Sequence, residues 1–170
     1  TYATPTDPYY EDLTDVYAHD PDRARELLQE AGHESLDITF TVPTRPYAQA
    51  VSEIVVSQLA DVGINATIES SEFPAVWLDE VFTNHDYQMT TVLAVEARDM
   101  LTVFNAPDSY IGYDNSEIAP VAPAADEADQ AGYLSGLQEV SDRVGEDAPS
   151  GVAFLFPNHS GAKADLPGLP

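Results

Sequence analysis

The run EARD, which carries Glu96, Arg98 and Asp99, sets both signs of charge within reach of one small ligand. A guanidinium grips a carboxylate through two parallel hydrogen bonds, and a carboxylate grips an ammonium or, beside a histidine, moves a proton. Arg45 offers a second guanidinium in a chain poor in cations: 30 Asp plus Glu stand against 6 Lys plus Arg, for a formal net charge of -24 and a pI near 4.1. Surface arginines often only neutralise nearby acids, as Glu96 and Asp99 would do here. Trp77 and Tyr113 add aromatic surface, although Trp77 lies at a helical spacing that suits a core as readily as a pocket.

Other chemistry is thinly supported. A small hydrolase or lyase would use Glu96 or Asp99 with His85, yet no G-x-S-x-G elbow, P-loop or G-x-G-x-x-G occurs. His19, His33, His85 and His159 are scattered, with no pair at metal-ligand spacing. The pairs Glu11–Asp12, Asp126–Glu127 and Glu146–Asp147 fall in loops or at helix ends, and the EF-hand spacing is missing. Zero cysteines exclude disulfides, zinc–thiolate sites and thiol catalysis. Nucleic acid is not expected as a partner, because phosphate binding draws on clustered Lys and Arg. No metal and no cofactor is expected. The acidity suits a high-salt or extracytoplasmic setting.

The elements that must position these residues are legible from periodicity. DPDRARELLQEAGH, residues 20 to 33, reads as a helix capped by Asp20, opened by Pro21 and stopped by Gly32, with an apolar stripe of Ala24, Leu27, Leu28 and Ala31. LDITFTV at 36 to 42 alternates as a half-buried strand. After the break PTRP, a helix over 47 to 62 puts Tyr47, Val51, Ile54, Val55, Leu59 and Val62 on one side, and INATIES at 64 to 70 alternates again. Strand, helix and strand predict a βαβ unit with parallel strands. A helix over 73 to 84 and a third strand over 86 to 95 extend it to βαβαβ. Pro120 and Pro123 argue against a continuous helix across 117 to 126, a helix is expected over 131 to 147 despite Gly132 and Gly136, and GVAFLFP at 151 to 157 reads as a last strand.

In such a sheet, ligands gather beyond the carboxyl ends of the strands. That edge holds residues 43–46, 70–73 and 95–100, so Arg45 and Arg98 both fall on it.

The order of elements resembles the C-terminal lobe of extracytoplasmic solute-binding proteins of ABC importers, family 5, the oligopeptide, dipeptide and nickel class. DPDRARELLQEAG, LDITFTVPTRPYAQAVSEIVVSQLADVGINATIE, VWLDEVFTNHDYQMTTVLAVEARD and SDRVGEDAPSGVAFLFPNHSGAKADLPGL carry the likeness, which runs over roughly residues 9 to 170. The second stretch is the most specific, with its helix ending in L-x-x-x-G-I before an alternating strand.

The resemblance implies an α/β, βαβαβ-containing lobe of a two-lobed, type II-like periplasmic-binding-protein fold. It implies residues 1–19 as an extended segment near the hinge, 20–157 as the lobe, and 158–170 as an extended return. It further implies a non-enzymatic receptor, anchored outside the cytoplasmic membrane through a segment not in this chain. Its partners would be a peptide or other small solute, the N-terminal lobe of the same protein and an ABC permease, with a nickel or metal chelate as the alternative cargo. In peptide-binding relatives an aspartate within W-x-A-D-y-x-D-P pairs with the peptide's amino terminus. Here AVEARDM lacks that tryptophan and has Met100 in place of the proline, so Glu96 or Asp99 would supply the carboxylate. Glu96, Arg98 and Asp99 are the leading ligand-facing candidates, followed by Arg45, Trp77 and Tyr113.

Overall fold

The computed structural model describes residues 2–94, 100–106 and 108–156. Its centre is a parallel sheet in the order β2-β1-β3, with β1 Leu36–Pro43, β2 Ile64–Ser71 and β3 Met89–Thr90. β1 and β2 pair in register from Leu36 with Ile64 to Pro43 with Ser71. The helix between them, α2 (Pro46–Asp61), supplies the crossover that parallel strands require. Gly63 turns the chain from α2 into β2 at φ +93, with Glu34 O 3.2 Å from where a Cβ would stand.

Alternation decides which face each strand residue serves. Phe40 and Val42 are buried with Ala66 against Ala48, and Val55, Val56 and Leu59 close over them. The buried face of α2 thus runs through Ala48, Ser52, Val55 and Leu59. Ile54, expected on that face, is 59% exposed, because its position points a third of a turn away. The opposite face of the sheet is polar, yet Thr41 is buried. It is covered by α3 (Ala75–Trp77), which continues as a π-helical segment, Leu78–Thr83. The Trp77 indole N–H donates to Thr90 Oγ1 at 3.1 Å, the Thr90 hydroxyl donates to Thr41 O at 2.7 Å, and the Ser71 hydroxyl donates to Glu80 at 2.6 Å. The sheet is therefore sandwiched between α2 and the α3 segment. The Phe73–Pro74 peptide that leads into α3 is cis.

The third strand is far shorter than expected over 86 to 95. Only Met89 and Thr90 pair, against Phe40 and Thr41. Side chains take the flanking hydrogen bonds: Thr39 N–H donates to Gln88 Oε1 at 2.6 Å, and Leu93 N–H donates to the Tyr47 hydroxyl at 2.8 Å. The ladder ends where its partners are taken.

α1 (Pro21–Glu30) forms with Asp20 as its cap, accepting from Arg23 N–H at 2.9 Å. It buries none of its residues, and its tie to the sheet layer is the Arg25 guanidinium on Asp61 O at the end of α2. The second half builds its own core. Val103 and Phe104, from the π-helical segment Met100–Phe104, pack with Ile118 and with Leu137, Val140 and Val144 of α5 (Gln130–Asp147). Tyr2, Tyr9 and Tyr133 line its border. α4 (Val121–Glu127) exists in spite of Pro123, because that proline sits in the first turn, where a backbone N–H has no helical partner to lose. Gly136 explains its own place in α5: a Cβ there would lie 2.4 Å from the Ala125 Cβ, so glycine is what lets α4 approach so closely.

Residues 151–156 form no strand, contrary to expectation, and Val152, Phe154, Leu155 and Phe156 are exposed. An apolar run becomes a strand only beside a neighbouring edge, and no described strand pairs with this segment.

Candidate functional site

The carboxyl edge of the sheet is built from the segments that follow β1 and β2. Thr44 N–H donates to Ser71 O at 2.9 Å, which extends the β1–β2 ladder by one rung. Phe73 N–H then donates to Thr44 Oγ1 at 3.0 Å, so the two loops are latched together. Arg45 stands at the N-cap of α2 with extended backbone and no side-chain cap, followed by Pro46 at the first helical position. The free N–H groups of that first turn and the Arg45 guanidinium thus open on the same edge. The guanidinium lies over the Phe73 ring, with Cζ 4.6 Å from its centroid. Nearby, Tyr47 in the first turn of α2 holds Leu93 through its hydroxyl.

Arg45 differs from the other described arginines. Arg23 pairs with Glu26 and Glu30, Arg25 with Asp22, and Arg143 with Glu117 and Glu146. Arg45 makes no ion pair with a described residue, in a chain whose formal net charge is -24. An exposed cation with no acid partner among the described residues, at a sheet edge, is a ready binder of an anion.

The remaining candidates fall elsewhere. Trp77 is a correction: at 1% exposure it belongs to the core, in tilted ring contact with Phe73 and Phe82 at 5.6 and 5.4 Å. Tyr113 packs edge-on against Phe104 in the second core and donates to Asp147 at 2.5 Å. Burial, aided by the Asp147 carboxylate, pushes its phenol up to about 12. Tyr113 therefore serves the helical half and not the edge. Glu96, Arg98 and Asp99 lie outside the described residues. His85, at φ +52, borders a hollow of about 550 Å³ with Glu69, Glu80 and Asp86 on the polar face of the sheet. Among the described residues no group of three or more His, Cys, Asp or Glu could hold a metal ion, and no helix is long and apolar enough to cross a membrane.

Helical spacing puts Phe73 on the apolar face of the helix expected over 73 to 84, and gives it no role at the edge. Its signal was its place, directly after an alternating strand on the same edge as Arg45.

The family model described as "Bacterial extracellular solute-binding proteins, family 5 Middle" matches residues 1–116, more than half of the chain. The chain belongs to this family of solute-binding proteins. A curated relative, Di/tripeptide-binding protein 4 of Pseudomonas aeruginosa, is 37% identical over 78 residues, which cover 43% of this chain and 15% of that protein. Among solved family 5 relatives, the periplasmic binding protein DppA of Helicobacter pylori in complex with the peptide STSA superposes with a TM-score of 0.70 at 20% identity. That match covers 86% of this chain and 31% of that one. NikA of Staphylococcus aureus in complex with Ni(L-His)2 has a TM-score of 0.69 at 15% identity, over 86% and 33% of the two chains. At these identities the likeness establishes the fold. This family 5 chain spans about a third of the length of those solved relatives.

Proposed function

We propose that this chain is the C-terminal lobe of a non-enzymatic receptor that captures a short peptide outside the cytoplasmic membrane and delivers it to an ABC permease. The observation that carries the peptide reading is Arg45: an exposed guanidinium without an ion-pair partner among the described residues, on the carboxyl edge of a parallel sheet. A peptide's terminal carboxylate matches that guanidinium in charge and planarity. A carboxylate from Glu96 or Asp99 would hold the amino end, and the side chains between would be loosely read. The Pseudomonas relative, by its name a di/tripeptide-binding protein, supports this choice. The other lobe of the same protein would close over the ligand by a hinge.

A ¹H–¹⁵N titration of the chain with dialanine tests the reading. Shifts at Arg45, Tyr47 and Phe73 are expected, and Arg45→Ala is expected to weaken binding by about tenfold or more, the worth of a charge-assisted hydrogen bond. Arg45→Lys should fall between, since an ammonium keeps the charge and loses the fork. A response to a nickel–histidine complex, with none to dialanine, would transfer the reading to the metal-chelate members of the family.

A further inference from the structure

The Arg45 guanidinium lies over the Phe73 ring, and the two loops that carry them are hydrogen-bonded to each other. We propose that Phe73 is a positioning residue for carboxylate capture: its ring face backs the Arg45 guanidinium and keeps the in-plane N–H groups turned to the ligand. The inference rests on the reading of Arg45 given above. It adds a residue that has no charge of its own and that would otherwise pass as part of an apolar wall.

Four observations carry it. The Cζ of Arg45 lies 4.6 Å from the Phe73 centroid, within the range in which a cation is held by the ring quadrupole. The two residues sit on different loops, and the Thr44 and Ser71 hydrogen bonds lock those loops to one another at 2.9 and 3.0 Å. The ring itself is fixed from behind by Trp77 at 5.6 Å, which is buried and hydrogen-bonded through Thr90 to β1. The guanidinium donates no hydrogen bond to any described side chain, so among the described residues the ring of Phe73 is its contact and its N–H donors are uncommitted.

The physical gain is preorganisation. An arginine side chain free to sample its rotamers must surrender that freedom when it binds, and in this acidic chain it would also be drawn to neighbours such as Glu72. Holding the guanidinium against a fixed ring removes much of that cost before the ligand arrives. It also suits a planar carboxylate better than a spherical anion, because the fork of donors is presented at a set angle.

The test compares Phe73→Leu with Phe73→Trp in the full 170-residue chain and has two readouts. The first needs no ligand: the Arg45 side-chain protons should show an upfield ring-current shift in the native chain, lose it in Phe73→Leu and keep it in Phe73→Trp. The second is the ratio of affinities for dialanine and dialaninamide, which differ in the terminal carboxylate. Phe73→Leu is expected to cut the preference for the free acid about two- to fivefold, and Phe73→Trp to keep it. Equal losses for acid and amide would overturn the proposal and reduce Phe73 to an apolar wall, as would Arg45 signals unmoved by Phe73→Leu. A native chain with shifted Arg45 signals and no response to either peptide would instead sink the peptide reading, taking capture with it and leaving the stack a packing contact.

Discussion

At the scale of single residues, position outweighs type. Three of the four described arginines sit among acids on exposed helix surfaces, where such pairs contribute little. The fourth, Arg45, lies past the end of a buried strand. Tyr113 shows the same principle from the other side. Burial first, then the Asp147 carboxylate, raises its phenol to about 12, above the ordinary value of 10.0. The neutral phenol's contribution to stability is complete below pH 10 and is lost as the pH climbs through about 12. Urea unfolding across that window should show stability falling with pH, and Tyr113→Phe should flatten part of the fall while costing up to about 1 kcal/mol at pH 8 through the lost hydrogen bond. Some slope should persist, because burial also raises Tyr2 and Tyr87. A Tyr113→Phe variant with the full native slope would refute the assignment.

At the scale of elements, contacts between segments decide what periodicity leaves open. Tyr133, Leu137, Val140 and Val144 predict the helix over 131 to 147, and by propensity its glycines weaken it. Gly136 is instead where Ala125 of α4 comes too close to α5 to leave room for a Cβ. Gly136→Ala is expected to destabilise the chain by about 1–3 kcal/mol in spite of its better helix propensity, since the added methyl meets Ala125. The double variant Gly136→Ala, Ala125→Gly should recover part of that loss in thermal unfolding. Recovery would place the cost at the interface, whereas a stabilised Gly136→Ala would show that propensity prevails.

At the scale of the whole molecule, two apolar clusters are joined by a row of rings. Phe73, Trp77, Phe82 and Tyr110 follow one another at 5.6, 5.4 and 4.0 Å, the last pair stacked, and the Tyr87 hydroxyl donates to Tyr110 O. The row runs from the carboxyl edge that carries Arg45 to the helical core. Over all of it lies a formal charge of -24. Mutual repulsion should weaken the fold at low salt, and shortening the screening length from ~10 Å at 0.1 M to ~3 Å at 1 M should relieve it. The thermal midpoint is therefore expected to rise with potassium chloride. A midpoint that stays flat or falls would mean that the charges are already compensated in the native state.

What the sequence determined by itself is what neighbours along the chain can enforce. Asp20 and Pro21 start a helix, Gly32 and Gly63 end one, and the alternation of Leu36 to Val42 and of Ile64 to Ile68 forms two strands whose faces follow from their period. Those elements also put Arg45 on the carboxyl edge of the sheet. Tertiary structure alone decided the rest. Trp77 was drawn into the core because Thr90 meets its indole, β3 was cut to Met89 and Thr90 because Gln88 and Tyr47 took the flanking hydrogen bonds, and the apolar run at 151–156 found no described strand to pair with. Phe73 reached Arg45 across two elements for the same reason. Periodicity records what a segment prefers, whereas burial, pairing and stacking depend on which distant segment the folded chain brings alongside.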